Sequence, residues 1–162
     1  MNRPQAETAA GEDFQQASAA ALRLLARREH SAQELRYKLG TRGYAAPVVD
    51  RVIAVLREEN SLSDCRYAEN YATSRYTRGF GPVRIEAELR ERGVSADLID
   101  EALSDPDLDW YGCACRQRRK RFGSGMPADF PERARQMRFL QQRGFDGAQI
   151  RAALAGETET AD

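Results

Sequence analysis

Between residues 116 and 121 the chain reads Arg116-Gln117-Arg118-Arg119-Lys120-Arg121, five cations in six positions, followed by Phe122-Gly-Ser-Gly-Met-Pro. A helix distributes consecutive side chains around its circumference, so these five cannot face one way and the tract surrounds its helix with positive charge. Charges this close repel one another unless an anionic partner or nearby acids offset them. All but two of the 25 basic residues are arginine, whose planar guanidinium grips phosphate or carboxylate through paired hydrogen bonds. The chemistry on offer is anion binding. The competing reading is a solvated helix face neutralised by Asp105, Asp107 and Asp109 just upstream.

A second cluster, Arg75-Tyr76-Thr77-Arg78-Gly79-Phe80-Gly81, sets basic and aromatic side chains in a glycine-containing loop between two helices. Aromatic rings between arginines stack on bases or pack in a protein groove, and loops on a rigid scaffold often carry contacts. Equally, the segment fits a helix end with Arg75 and Arg78 hydrated and Tyr76 and Phe80 turned into the core. Arg84 on the next helix, with Arg135 and Arg138 further along, completes the set of partner- or DNA-binding candidates. Arg42, Arg92 and Arg143 recur at one place in a repeat, which favours a structural task, because a cation near a helix C-terminus complements its last carbonyls.

Catalytic arrangements are missing from the sequence. It holds no P-loop, no H-E-x-x-H, no G-x-S-x-G and no paired metal carboxylates, and Gly123-Ser124-Gly125 lacks the lysine of a phosphate loop. His30, the one histidine, has no carboxylate or nucleophile at motif spacing and reads as a turn residue beside Ser31. Cys65, Cys113 and Cys115 form neither a disulfide framework nor a zinc pattern; Cys113 and Cys115 stand two apart in a helix, where they do not share a face. They are expected to be buried or partly buried, reduced thiols. No catalytic residue, cofactor, metal or small-molecule substrate is expected, and the protein is not read as an enzyme.

Net charge is zero overall, yet it is strongly segregated along the chain. Residues 110–151 carry ten basic residues against Asp129, Glu132 and Asp146, whereas residues 94–109 carry six acids and no base. Such a pattern bears on partners rather than on fold. No apolar run approaches the length of a membrane helix, and the first residues, MNRPQAETAAGEDFQQ, have no apolar signal core. A soluble, cytoplasmic protein with no membrane partner is expected.

The elements that must position these cations are helices in a repeat. Leu39-Gly-Thr-Arg42-Gly43-Tyr44, Leu89-Arg-Glu-Arg92-Gly93-Val94 and Leu140-Gln-Gln-Arg143-Gly144-Phe145 share the form L-x-x-R-G followed by an apolar residue. Val49, Ile99 and Ile150 follow at matching positions, and then Ile53, Leu103 and Leu154. Each block reads as a helix ended by glycine, a turn, and a second helix. Ser31-x-x-Glu34, Asp129-x-x-Glu132 and Asp146-x-x-Gln149 predict capping boxes, Ser95 an N-cap, and Pro47 and Pro82 first-turn prolines. Upstream of each block lies a further helix: Phe14, Ala17, Ala21 and Leu25 share a face in the first copy, Ala68, Tyr71 and Ala72 in the second, Trp110 and Ala114 in the third. Nothing alternates as a strand does. The expected fold is all-α, three tandem three-helix repeats forming an elongated, curved helical array. Its divisions are a disordered N-terminal tail at 1–13, repeats at 14–60, 61–105 and 106–155, and an acidic disordered tail at 156–162.

The string Leu62-Ser-Asp64-Cys-Arg66-Tyr67-Ala68-Glu-Asn-Tyr71-Ala-Thr-Ser-Arg75, with Arg78-Gly79-Phe-Gly81-Pro82-Val-Arg84-Ile85 and Leu89 through Val94, resembles the central repeat of the RecX family, bacterial regulators of the RecA recombinase. Arg135-Gln-Met-Arg138-Phe139-Leu140-Gln-Gln-Arg143-Gly144-Phe145 resembles that family's third repeat, and the likeness extends over about residues 17–154. The resemblance implies a regulator in DNA repair, recombination and the SOS response. Such a regulator binds along the groove of the RecA–DNA filament, lowers ATP hydrolysis and strand exchange, and binds single- or double-stranded DNA weakly. From the residues alone, two other functions stay open: a nucleic-acid-binding protein that needs no recombinase, and a helical adaptor for another protein.

Overall fold

The computed structural model describes residues 3–156, with side chains from residue 11 onward. Among the described residues there are nine helices and no strand: α1 Arg3–Leu25, α2 Ala32–Gly40, α3 Ala46–Glu58, α4 Asp64–Thr77, α5 Pro82–Glu91, α6 Ala96–Leu103, α7 Trp110–Phe122, α8 Phe130–Arg143 and α9 Gly147–Ala155. They fall three to a copy, as the repeat requires.

The local signals act largely as their chemistry dictates. Ser31, Asp129 and Asp146 each accept a backbone N–H from the residue three positions on, capping α2, α8 and α9. Only Asp146 forms the full box, with Gln149 Oε1 accepting the Asp146 N–H at 2.9 Å. Glu132 instead accepts from Ala128 N at 3.1 Å, and Glu34 is engaged by Arg28 and Tyr67. Ser95 stands at the N-cap of α6 without a side-chain cap bond. Gly43, Gly93 and Gly144 all adopt positive φ, between 74° and 90°, the left-handed turn that ends each second helix. The residue after each glycine folds back: Phe145 N donates to Leu140 O at 3.2 Å, and Phe145 and Val94 are buried.

Helix α1 corrects the expected N-terminal boundary. Residues 3–13, read above as part of a tail, are helical and continuous with the packed turns. Pro4 falls in the first turn, where its missing N–H costs no helical bond, and the alanines, glutamine and glutamate that follow favour the helix. At the other end Gly156 closes α9 in the left-handed conformation; residues 157–162 of the expected acidic tail lie outside the described residues.

Two compact units emerge, Met1–Tyr67 with Arg92–Val94, and Ala68–Glu91 with Ser95–Asp162, so compactness does not follow the repeats. In the first, Val49, Val52, Ile53 and Leu56 form the apolar stripe of α3 and pack with Leu35, Leu39, Leu62, Ala17 and Ala21. Small alanines on α1 let its backbone approach closely. His30 is 2% exposed. Its Nδ1–H donates to Arg28 O at 3.0 Å, its Nε2 accepts from Lys38 Nζ at 2.9 Å, and burial pushes its pKa down, so the neutral ring braces the turn before α2. In the second unit Cys113, Ala114 and Cys115 are all buried with Leu140, Phe145, Ile150 and Leu154. That turn of α7 is enclosed on more than one face, which is how two cysteines two residues apart can both be interior. Burial pushes both thiols above their usual pKa.

Arg92–Val94 belongs to the first unit because the Arg-Gly bend of the second copy seats on the start of α2. Ser31 Oγ donates to Arg92 O at 2.8 Å, and Arg92 Nε lies 3.8 Å from Glu34 Oε1. The third copy repeats this within the second unit. Gly81, at the place of Ser31, donates its N–H to Arg143 O at 2.8 Å, and Val83 N donates to Gly144 O at 3.0 Å. Arg143 Nη1 donates to Arg78 O at 3.1 Å and Gly79 O at 3.2 Å. The recurrent arginine is therefore structural, with a task wider than its own helix end: in both later copies it ties the bend to the preceding copy. Arg42 in the first copy is exposed.

A candidate anion-binding surface on α7 and α8

The loop cluster is largely consumed by internal partners. Arg75 is half-buried against Glu88, with Nε 2.7 Å from Oε2 and Nη2 on Oε1. Arg84 Nε reaches the same carboxylate at 3.0 Å, and Tyr71 donates its hydroxyl at 2.8 Å. Burial alone would raise the Glu88 pKa, but these three donors hold it down at about 2. Arg75, Arg84 and Arg143 lie 3.9, 4.6 and 5.3 Å from the Phe80 ring centroid, a stack of cations on one aromatic made tolerable by Glu88. Tyr76 meets Trp110 edge-on at 5.3 Å and accepts from Arg116 Nη2 at 2.7 Å. Arg78 is exposed and its side chain has no ion-pair partner among the described residues.

The tract 116–121 divides by helical position, as a run that encircles its helix must. Arg116 turns to Tyr76 and to Asp109, at 3.5 Å. Of the three upstream acids, Asp109 alone pairs with the tract among the described residues. Arg118 must be removed from the candidate surface: it is 1% exposed, and its Nη1 donates inward to Gly125 O at 2.8 Å. The reason is register. Ala17 and Ala21 on α1, and Ala68 and Ala72 on α4, are the buried i, i+4 pairs of their copies, and the pair on α7 is Ala114 and Arg118. Arg119, Lys120 and Arg121 are exposed and unpaired among the described residues.

Helix α8 supplies the facing wall. Arg135, Arg138, Phe139 and Gln142 stand at i, i+3, i+4 and i+7 and so share a face. With Arg121 and Phe122 from the last turn of α7 they line a recess of about 490 Å³. A neighbouring recess of about 410 Å³ is lined by Gln117, Lys120, Arg121, Phe139 and Arg143. No acid lines either one. Lys120, Arg121, Arg135 and Arg138 have no ion-pair partner among the described residues, in contrast to Arg75, Arg84, Arg90 and Arg116. The floor is aromatic: Phe122 and Phe139 meet edge-to-face at 5.3 Å. Arg135 covers the Phe122 ring at 5.3 Å and Arg143 covers Phe139 at 5.2 Å. With a ring face taken on each, the groove presents guanidinium and ammonium donors more than stacking platforms, which suits phosphate or carboxylate oxygens.

The structure thus gathers Arg121, Arg135 and Arg138 with Lys120, sets Arg119 on the same helix end, and leaves Arg75, Arg84 and Arg116 in internal pairs. Phe122, Phe139, Gln117 and Gln142 line the groove without having been candidates. Their signal was the apolar and amide spacing within α7 and α8, which a reading centred on charge passes over.

Profiles described as the first, second and third three-helix domains of RecX match residues 17–56, 63–103 and 107–154. A regulatory protein RecX of Halorhodospira halophila is 51% identical over 140 residues, covering 86% of this chain and 87% of that protein. The corresponding protein of Cronobacter sakazakii is 41% identical over 142 residues, covering 82% and 86%. Among solved structures, RecX from Lactobacillus salivarius superposes with a TM-score of 0.77 at 18% identity, covering 90% of this chain and 97% of that one. A second, a regulatory protein RecX, gives 0.81 at 20% identity, covering 97% and 79%. These two show the likeness of fold.

Proposed function

Because the chain belongs to the RecX family of regulatory proteins, we propose that it binds the RecA–DNA filament and lowers its ATP hydrolysis and strand exchange. The observation that carries this reading is the set of cations gathered on α7 and α8 without internal acids, where Arg75, Arg84, Arg90 and Arg116 are each paired to a carboxylate. A recombinase filament on DNA offers acidic protein surface and phosphate in regular array, and the groove fits either oxygen chemistry. Action in the cytoplasm, without catalytic chemistry of its own, follows from the same reading.

The mechanism is restraint. Three copies tied in sequence by Arg-Gly bends give one ligand several attachment points, and a ligand that touches more than one protomer opposes the relative movement on which turnover depends. Binding should therefore act without any bond being made or broken in the regulator. The test is a titration of the protein into RecA filaments on single-stranded DNA, following ATP hydrolysis. The rate should fall with added protein and reach a plateau; a rate unchanged at saturation removes the proposal. A recombinase-independent nucleic-acid binder would instead bind bare DNA with steep salt dependence and gain nothing from RecA.

A further inference from the structure

We infer that the two recesses beside α7 and α8 form one site for a short linear oligophosphate, such as a triphosphate chain, gripped through its oxygens with Arg121 in the middle. That its occupancy opposes filament binding rests on the reading above; the oligophosphate site itself does not.

Continuity and charge carry the inference. Arg121 and Phe139 line both recesses, so a ligand seated in one reaches into the other. Their volumes, about 490 and 410 Å³, fall in the range of small-molecule sites, about 300–1,000 Å³. The first adds Arg135 and Arg138 to Arg121, and the second adds Lys120. No acid lines either recess, and these cations have no ion-pair partner among the described residues. A further charge lies behind them. Arg118, one turn before Arg121 on α7, is 1% exposed, and its buried Nε has no hydrogen-bond partner. Its Nη1 donates to Gly125 O, and no carboxylate pairs with it among the described residues. Water screens a buried cation less than an exposed one, so Arg118 strengthens the positive potential of this face without touching the ligand.

That concentration of charge selects the ligand. A nucleic-acid strand brings a single charge per phosphodiester, one per about 3.4 Å of duplex axis, with sugars between them. A triphosphate packs about four charges into adjoining phosphoryl groups joined only by bridging oxygens. The second form matches several cations around one small space. The aromatic floor adds little for a base: Arg135 covers Phe122, Arg143 covers Phe139, and the two rings meet edge-on. Nor does the lining offer a carboxylate to a magnesium ion, and the described residues hold no acid cluster that could. The metal-free phosphate chain is therefore the form bound.

The probe is inorganic tripolyphosphate, titrated calorimetrically into the full chain at about 0.1 M salt without divalent cations. Binding should saturate with a dissociation constant of the order of 100 µM or tighter, at least about tenfold tighter than orthophosphate. ATP should match tripolyphosphate within about threefold, since its base finds little to stack on. Arg121→Gln with Arg138→Gln should weaken binding about tenfold or more, and Arg36→Gln with Arg90→Gln, at exposed arginines paired elsewhere, less than about threefold. Unchanged helical circular dichroism in both pairs excludes unfolding as the cause. No saturable binding, orthophosphate bound as well, or equal losses in the two pairs overturns the site. ATP bound more than about tenfold tighter than tripolyphosphate shows that a base is read and overturns recognition of the phosphate chain alone; binding that requires magnesium overturns it as well. The groove pair is also titrated onto RecA filaments. If oligophosphate affinity falls and filament affinity does not, the site stands and the reading of the groove as the filament surface falls. If only filament affinity falls, that reading stands and the oligophosphate site falls.

Discussion

Arg118 and Arg119 are neighbours in the chain and opposites in environment. Arg118 is enclosed, holds the α7–α8 connection through Gly125 O, and has a buried Nε without a hydrogen-bond partner, while Arg119 faces solvent. Placing a carboxylate where Arg118 sits would bury a charge with no cation to meet it, so Arg118→Glu should destabilise the fold by about 3 kcal/mol or more. Arg119→Glu should stay within about 0.5 kcal/mol. Urea unfolding of the two variants separates them, and equal midpoints would show that Arg118 is not interior. The sequence marked the tract as a candidate for anion binding, but not which of its members turns inward. Residue type argued for the surface, and only continuing the Ala114 series by four positions would have placed Arg118 in the core. Arg75 misled for a related reason: its partner Glu88 lies on another helix, and a long-range pair leaves no local pattern.

Helix ends were the best-read elements, because a cap or a terminal glycine is decided by atoms within a few residues. The Arg-Gly bend is the exception, since half its meaning lies in the preceding copy. Gly43 and Gly144 share nearly the same φ, 90° and 88°. A Cβ at Gly43 meets nothing within 4 Å, whereas at Gly144 it would fall 2.2 Å from Arg84 Cβ and 2.6 Å from Arg84 N. Gly43→Ala should therefore cost only the left-handed backbone, about 1 kcal/mol, and Gly144→Ala that plus the loss of its seat on α5, about 3 kcal/mol in all. Thermal unfolding compares them, and similar shifts would deny the seat. The extension of α1 to Arg3 was missed because polar, acidic residues were read as unpacked, although alanine-rich sequence after a first-turn proline needs no packing to favour a helix.

Taken together, the repeats gave away the three-helix copies, the fold class and the concentration of positive charge in residues 110–151. They could not say which cations stay free, because that depends on where acids from other helices fall. Several cations without internal partners gathered around one recess are what distinguish the α7–α8 groove, so they should count for more than equal charge placed elsewhere. The decisive comparison is the affinity for RecA filaments of Arg121→Glu with Arg138→Glu, against Arg36→Glu with Arg90→Glu. The latter change net charge equally at exposed arginines already paired to Asp50 and Glu86. At fixed salt, the groove pair should weaken binding at least tenfold, about 1.4 kcal/mol or more for two charge-assisted contacts, and the control pair less than about threefold. Equal losses in both, or none in either, would contradict a filament surface on α7 and α8.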